Sequence, residues 1–181
     1  IRIYRLSDYM GEGSLVEVVT DASPTGLGAY LVEGDVIQEY FGDFITEHDE
    51  HILGTWKGTC EGQQVWEALS VLCALRLWAG RWRSRRIRLR VKTDNVAALV
   101  MIVKMKAKGR GTSIIARELA LDIAEAVYEP AVCAHVLGVS NVLADFLSRL
   151  AEHKNDSLPP ALLPARRRDL PCRDQAWWRT L

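Results

Sequence analysis

The stretch LVEVVTDASPTGLGAYLVEGDVIQEYFGDFI, Leu15 to Ile45, decides how this chain is read. Its first run, Leu15–Ala22, carries β-branched Val16, Val18 and Val19 and ends around Asp21, as a strand does. Ser23-Pro24-Thr25-Gly26 is turn chemistry. Leu27–Val32 resumes as a second strand, and Gly34-Asp35 turns tightly into a third, Val36–Ile45. Connections this short join antiparallel neighbours, so the opening is a three-stranded meander.

Beyond it the period changes. Thr46–Gln63 is polar and irregular, and its His48-Asp49-Glu50-His51 run lacks a third ligand at fixed spacing, so it reads as a solvated loop rather than a metal site. Gln64–Trp82 is helical, with Val65, Leu69, Leu72, Ala74, Leu75 and Leu77 recurring at helical spacing. Ile87–Thr93 alternates apolar and basic residues, as a half-buried strand does. Asn95–Lys106 is an apolar helix and Lys106–Thr112 a basic loop. Thr112 or Ser113 can cap a helix over Ile114–Tyr128 that Glu129-Pro130 stops. Ala131–Leu137 is a short strand, and Asn141 can cap a last helix, Val142–Leu150. The order βββ-α-β-α-α-β-α implies an α/β fold with a mixed five-stranded sheet, three antiparallel strands then two parallel, flanked by helices.

The 181 residues fit one domain with a tail, and a hydrophobic share of 49% supplies a core. Residues 1–14 read as a lead-in from an upstream region, 15–150 as the domain, and 151–181 as a tail containing Pro, Arg and Trp. The chain opens on Ile1 and shows no signal peptide, so a fragment of a longer intracellular polypeptide is expected. No apolar run is long enough to span a bilayer, so no membrane partner is expected. Cys60, Cys73, Cys133 and Cys172 have no zinc-ligand spacing and read as small hydrophobes in a reducing compartment. Net charge is zero, but its distribution is uneven. The first fifty residues are acid-rich, whereas Arg81 to Arg110 is basic around the single acid Asp94, which reads either as a field that can guide a polyanion or as a solvated charged face.

Four acids stand out by position: Asp21 and Asp94 at strand ends, Glu67 on the first turn of the first long helix, and Asp145 on the first turn of the last. Strand ends and helix starts can converge on one edge of an α/β sheet. Oxygen-only ligands suit hard cations, Mg²⁺ in particular. Phosphodiester cleavage needs an activated water, a neutralised phosphate and a stabilised leaving oxygen, which two metals about 4 Å apart supply. Singly, each acid reads as a cap or a surface charge before it reads as a ligand; the joint pattern carries the expectation.

The motifs around these acids resemble the ribonuclease H family, closest to reverse-transcriptase domains of long-terminal-repeat, tyrosine-recombinase and pararetrovirus-type retroelements. Val18-Val19-Thr20-Asp21-Ala22-Ser23 with Gly26-Leu27-Gly28-Ala29 looks like its first motif, Glu67-Ala68-Leu69 its helix motif, and Thr93-Asp94-Asn95 its third. Asn141-Val142-Leu143-Ala144-Asp145-Phe146-Leu147-Ser148-Arg149 looks like the retroelement form of the last. The resemblance implies an endonuclease that cuts the RNA strand of an RNA–DNA hybrid with two Mg²⁺ ions (Mn²⁺ substituting), tethered to an upstream polymerase domain. It implies that Asp21 bridges both metals, that Asp145 serves the metal carrying the attacking water, and that Glu67 and Asp94 serve the leaving 3′ oxygen. His135 falls where retroviral members carry a mobile His, or is a structural His at a strand end. Ser23, Asn95 and Glu67 are the polar groups expected near the 2′-hydroxyl, Asn141 is a further expected substrate-binding residue, and Arg85, Lys104, Lys106 and Lys108 are the cations expected on the DNA strand. Rival readings are a non-catalytic domain of the same fold, a transposase or integrase, and a plain hybrid-binding module. For Trp177-Trp178, docking on the chain's own domain is expected over stacking on bases.

Overall fold

The computed structural model describes residues 13–59, 62–82, 87–95, 107, 109–125, 141–150, 152 and 157–180, and residues 129–135 as backbone. Strands β1 (Ser14–Ala22), β2 (Gly26–Glu33) and β3 (Val36–Phe44) form the meander, with β4 (Ile87–Thr93) and β5 (Glu129–His135) beyond it. The sheet order is β3-β2-β1-β4-β5; β1–β2 and β2–β3 are antiparallel, and β1–β4 and β4–β5 parallel. This is the expected mixed sheet. Strict alternation in β4 puts Ile87, Leu89, Val91 and Thr93 in the core and leaves Arg88, Arg90 and Lys92 half-buried. Arg90 and Lys92 both pair with Glu17 on β1, each at 2.8 Å. Pro130 lies near the start of β5, which ends the sheet order, a position where a missing N–H costs little.

Helix α1 (Glu47–Leu53) lies inside the stretch expected to be irregular. Thr46 caps it: its hydroxyl accepts from the Asp49 N–H, and the Asp49 carboxylate accepts from the Thr46 N–H, a reciprocal capping box. Asp49 is fully buried rather than solvated, because Arg173 reaches it from the far end of the chain.

Helix α2 (Gln63–Leu77) stops at Trp78 and is followed by a short helical turn, Ala79–Trp82, where one continuous helix was expected. Every residue from Trp66 to Leu75 is buried. A helix apolar all round needs cover on every side. Strands β1 and β2 cover one side and α3 (Arg110–Glu125) another. Helix α3 starts earlier than the expected cap at Thr112 or Ser113, directly after Gly109, whose φ of 102° suits glycine. The helix expected over Asn95–Lys106 lies outside the described residues.

Helix α4 (Val142–Ser148) crosses the opposite face of the meander. Gly28 and Gly42 are register partners, and a Cβ on Gly28 would come within 2.3 Å of the Ser148 nitrogen, and one on Gly42 within 2.6 Å of the Leu147 oxygen. Only glycine lets this helix lie so close to the sheet.

The segment 157–180 is docked as a strap. Its Arg168 N–H donates to the Tyr40 carbonyl and its Arg166 guanidinium to the Ile37 carbonyl, along the β3 edge that would otherwise be open. Arg173 is 4% exposed and binds Asp43, Asp49 and the Phe44 carbonyl. Trp178 joins the main core, and Arg76 of α2 lies 4.4 Å from the Trp177 ring centre. Buried Glu118 on α3 accepts the Arg179 and Thr180 N–H groups and pairs with Arg76. No helix among the described residues is long and apolar enough to cross a membrane.

Candidate active site

Because β1 and β4 are parallel neighbours, their C-terminal ends lie side by side, and Asp21 and Asp94 sit at those ends. Helix α2 packs across β1 and brings Glu67, on its second turn rather than the expected first, over the same point. Carboxylate oxygens of Asp21, Glu67 and Asp94 all lie within 4.8 Å of one another. Asp21 and Glu67 are buried, at 5% and 3% exposure, and Asp94 is half-buried.

Neutral donors hold the two buried carboxylates. Ser148 Oγ lies 2.7 Å from Asp21 Oδ2, and Asn141 Nδ2 lies 3.5 Å from Oδ1 while donating to the Thr20 carbonyl at 3.2 Å. Gln63 Nε2 donates to Glu67 Oε1 at 3.0 Å and also to the Ala22 carbonyl, tying the start of α2 to the end of β1. The Thr93 hydroxyl is 3.4 Å from Glu67 Oε2.

Burial and mutual repulsion disfavour ionisation here. Asp21 is pushed up to about 6, first by desolvation, with the Asp94 and Asp145 charges adding to it and the Ser148 hydrogen bond opposing. Glu67 is pushed up to about 8, again first by desolvation and then by Asp21, with Gln63 opposing. A cation would relieve both penalties at once. Three closely set oxygens from hard carboxylates fit Mg²⁺ or Mn²⁺ by donor chemistry.

Asp145 is near enough to raise Asp21, but it stands outside the group of three. Its side chain is 51% exposed, and its Oδ1 pairs with Arg149 one turn on, at 2.8 Å. Of the polar residues expected to meet substrate, two are engaged inside the protein. The Ser23 side chain is fully buried, its hydroxyl donating to the Ser148 carbonyl at 2.9 Å and accepting the Gly26 N–H at 2.9 Å. Asn141 is 1% exposed and makes no side-chain cap for α4; it pins the helix to β1 instead. Both therefore shape the site from behind rather than face a ligand. Asn95 is half-buried beside Asp94, its N–H donating to the Thr93 hydroxyl. His135 is placed by its backbone opposite Thr93, on the strand end next to Asp94; its side chain lies outside the described residues, as do Arg85, Lys104, Lys106 and Lys108.

Ser148 and Gln63 were missed from sequence. Helical spacing held a signal for each: Ser148 follows Asp145 by three residues, and Gln63 precedes Glu67 by four. A cavity of about 210 Å³ opens nearby between Thr25, Gly42, Phe44, Ser148 and Arg167, but none of the three acids lines it.

No family model matches the sequence, and no curated protein matches it. Solved structures do. The RNase H1 of the halophilic archaeon Halobacterium salinarum matches with a TM-score of 0.59 at 18% identity, over 77% of this chain and 98% of its own. LC11-RNase H1, solved in complex with an RNA/DNA hybrid, matches with a TM-score of 0.61 at 18% identity, over 78% and 99%. The N-terminal RNase H domain of a Mycobacterium tuberculosis protein matches with a TM-score of 0.58 at 13% identity, over 80% and 99%. The chain thus has the ribonuclease H-like α/β fold.

Proposed function

We propose that this chain is an endonuclease that hydrolyses the RNA strand of RNA–DNA hybrids, leaving 5′-phosphate and 3′-hydroxyl ends, as part of a reverse transcriptase. One observation carries the reading: three carboxylate oxygens, from Asp21, Glu67 and Asp94, meet within 4.8 Å at the strand ends of a ribonuclease H-like sheet. Close buried acids are costly without a cation, and the two shifted carboxyls register that cost. LC11-RNase H1, of the same fold, was solved with a hybrid, which supports the substrate class.

Asp21, Glu67 and Asp94 would hold two divalent ions, with Asp145 joining from α4 when it parts from Arg149. Bound there, the ions would supply the activated water, the neutralised phosphate and the stabilised leaving oxygen. The protein's part is to fix these ligands on the ends of β1 and β4 and on helices α2 and α4. Asp21 would be the ligand common to both ions, Asp145 would serve the attacking water, and Glu67 and Asp94 would serve the leaving 3′ oxygen. His135, at the end of the strand beside Asp94, is the proposed proton shuttle. Asn95 is the proposed reader of the 2′-hydroxyl, and Arg85, Lys104, Lys106 and Lys108 are the proposed phosphate contacts on the DNA strand. The Asn-x-x-Ala-Asp-x-Leu-Ser-Arg ending at 141–149 supports the link to a reverse transcriptase, whose polymerase domain would hold the hybrid and raise its effective concentration.

The Asp145–Arg149 pair favours one second reading, a non-catalytic relative that binds hybrid without cutting it. A labelled hybrid separates the two. With Mg²⁺ or Mn²⁺ the protein cuts the RNA strand, chelation stops cleavage, and Asp94→Asn abolishes it while leaving the fold intact. Hybrid binding with no metal-dependent cleavage would overturn the nuclease reading.

A further inference from the structure

We propose that Ser148 is a positioning residue for Asp21, holding its carboxylate in the orientation that accepts a divalent ion; the inference rests on the two-metal reading above. The Ser148 hydroxyl has two acceptors in reach, Asp21 Oδ2 at 2.7 Å and the Asp145 carbonyl at 2.9 Å, and one proton to give. The charged acceptor is the shorter and the stronger, so the proton goes to Asp21. Oδ1 receives only the 3.5 Å approach of Asn141, so Ser148 is the close side-chain donor on this carboxylate among the described residues.

Ser148 is itself over-determined. It is 3% exposed, its carbonyl accepts from Ser23 Oγ, and its backbone lies against Gly26 and Gly28, where no Cβ fits. The hydroxyl cannot drift, and the carboxylate it holds cannot rotate freely. The chain Ser23–Ser148–Asp21 thus links the β1–β2 turn, helix α4 and the end of β1. The same short helix carries Asp145 on its outer side and Ser148 on its inner side, so docking it sets two acids at once.

Groups that orient metal ligands typically change metal affinity or activity by roughly 10–100-fold when removed. Mn²⁺ binding to the full chain without nucleic acid, followed by electron paramagnetic resonance, reads this directly, with melting temperature in chelator as a second readout. Ser148→Ala is expected to weaken Mn²⁺ binding at least tenfold while its metal-free melting point stays within a few degrees of the parent. Ser148→Cys keeps nearly the same volume with a weak donor and should behave likewise, which covers the case that Ser148→Ala does not fold. Folded variants that bind Mn²⁺ within twofold of the parent overturn the proposal, as does a lowered melting point with affinity unchanged, the pattern of a purely structural serine. A parent that binds no Mn²⁺ overturns both this proposal and the nuclease reading. A parent that binds Mn²⁺ but cuts no hybrid fails that reading alone, and a weakened Ser148→Ala then still supports the positioning role.

Discussion

Replacing Glu67 by Gln should stabilise the metal-free protein while disabling its site, and the effect should grow with pH. The Glu67 carboxyl sits at about 8 in the fold against 4.5 for an ordinary Glu, so the folded state holds a proton that the unfolded chain releases. A raised pKa contributes stability that is whole below 4.5 and lost as pH climbs towards 8. At about 1.4 kcal/mol per pK unit the loss has a ceiling of about 5 kcal/mol. Asp21 shares the repulsion and its own shift counts part of it again, so roughly 2–5 kcal/mol is the range to expect for Glu67 alone. Gln keeps the shape and still offers an oxygen to Gln63 Nε2. For a chain of this size, about 2–4 °C per kcal/mol puts the gain in melting temperature at roughly 4–20 °C at pH 9 in chelator, and near zero at pH 4.5. Adding Mg²⁺ or Mn²⁺ at pH 8–9 should raise the parent and leave the variant nearly unmoved. Calorimetric scans across pH, with and without metal, are the assay. A variant that melts at or below the parent at pH 9, or that gains equally from metal, refutes the claim that buried like charge awaits a cation here.

Other outcomes follow from the packing and can be measured independently. Gly28→Ala forces a Cβ to within 2.3 Å of the Ser148 nitrogen, so α4 must lift; a stability loss of roughly 1–3 kcal/mol by denaturant titration and weaker Mn²⁺ binding are expected together. Arg173→Ala leaves Asp49 buried without its partner and should cost roughly 3–5 kcal/mol, and Asp49→Asn in the same chain should recover part of that. Arg149→Ala frees the Asp145 carboxylate; metal-dependent cleavage at low Mg²⁺ should be maintained or raised, and a tenfold drop would mean that the pair serves the site instead of competing with it.

What the sequence made legible was what local pattern determines. The alternation in Ile87–Thr93 placed β4 to the residue, and strand-end acids on β1 and β4 could be expected to meet once the sheet was read as mixed. Features that depend on remote partners stayed hidden. The His48–His51 run read as a solvated loop because, among the described residues, the cation that matches its inward charge, Asp49, is Arg173, 124 residues away. The buried surface of α2 left its cover unassigned, and no local signal says that Trp177 and Trp178 belong to that cover. Asn141 has the composition of a cap, but its amide is drawn to the Thr20 carbonyl across the sheet. Ser148 looked like part of a motif, and only the close approach allowed by Gly26 and Gly28 gives its hydroxyl a task.

The strap and the acid cluster are two sides of one thermodynamic arrangement. Three clustered acids, two of them buried, oppose folding in the absence of metal, and the excess must be offset elsewhere. Docking of 157–180 does that away from the acid cluster: it seals the β3 edge, adds Trp178 to the core that contains α2, gives Asp49 its Arg173 partner and completes the hydrogen bonding of Glu118, which Arg76 already pairs. Asp49 and Glu118 are committed by their burial to the strap, since each is fully enclosed and its cationic or N–H partners come largely from it. A chain ending at residue 156 should therefore lose more than the area the strap covers, because buried Asp49 loses its Arg173 partner and Glu118, which keeps Arg76, loses the N–H donors of Arg179 and Thr180. Divalent metal should restore part of the lost stability by relieving the repulsion at the ends of β1 and β4, and by about as much as it stabilises the parent. A truncated chain that gains nothing from Mg²⁺, against a metal-stabilised parent, would show that the strap and the site do not contribute independently to one cooperative fold.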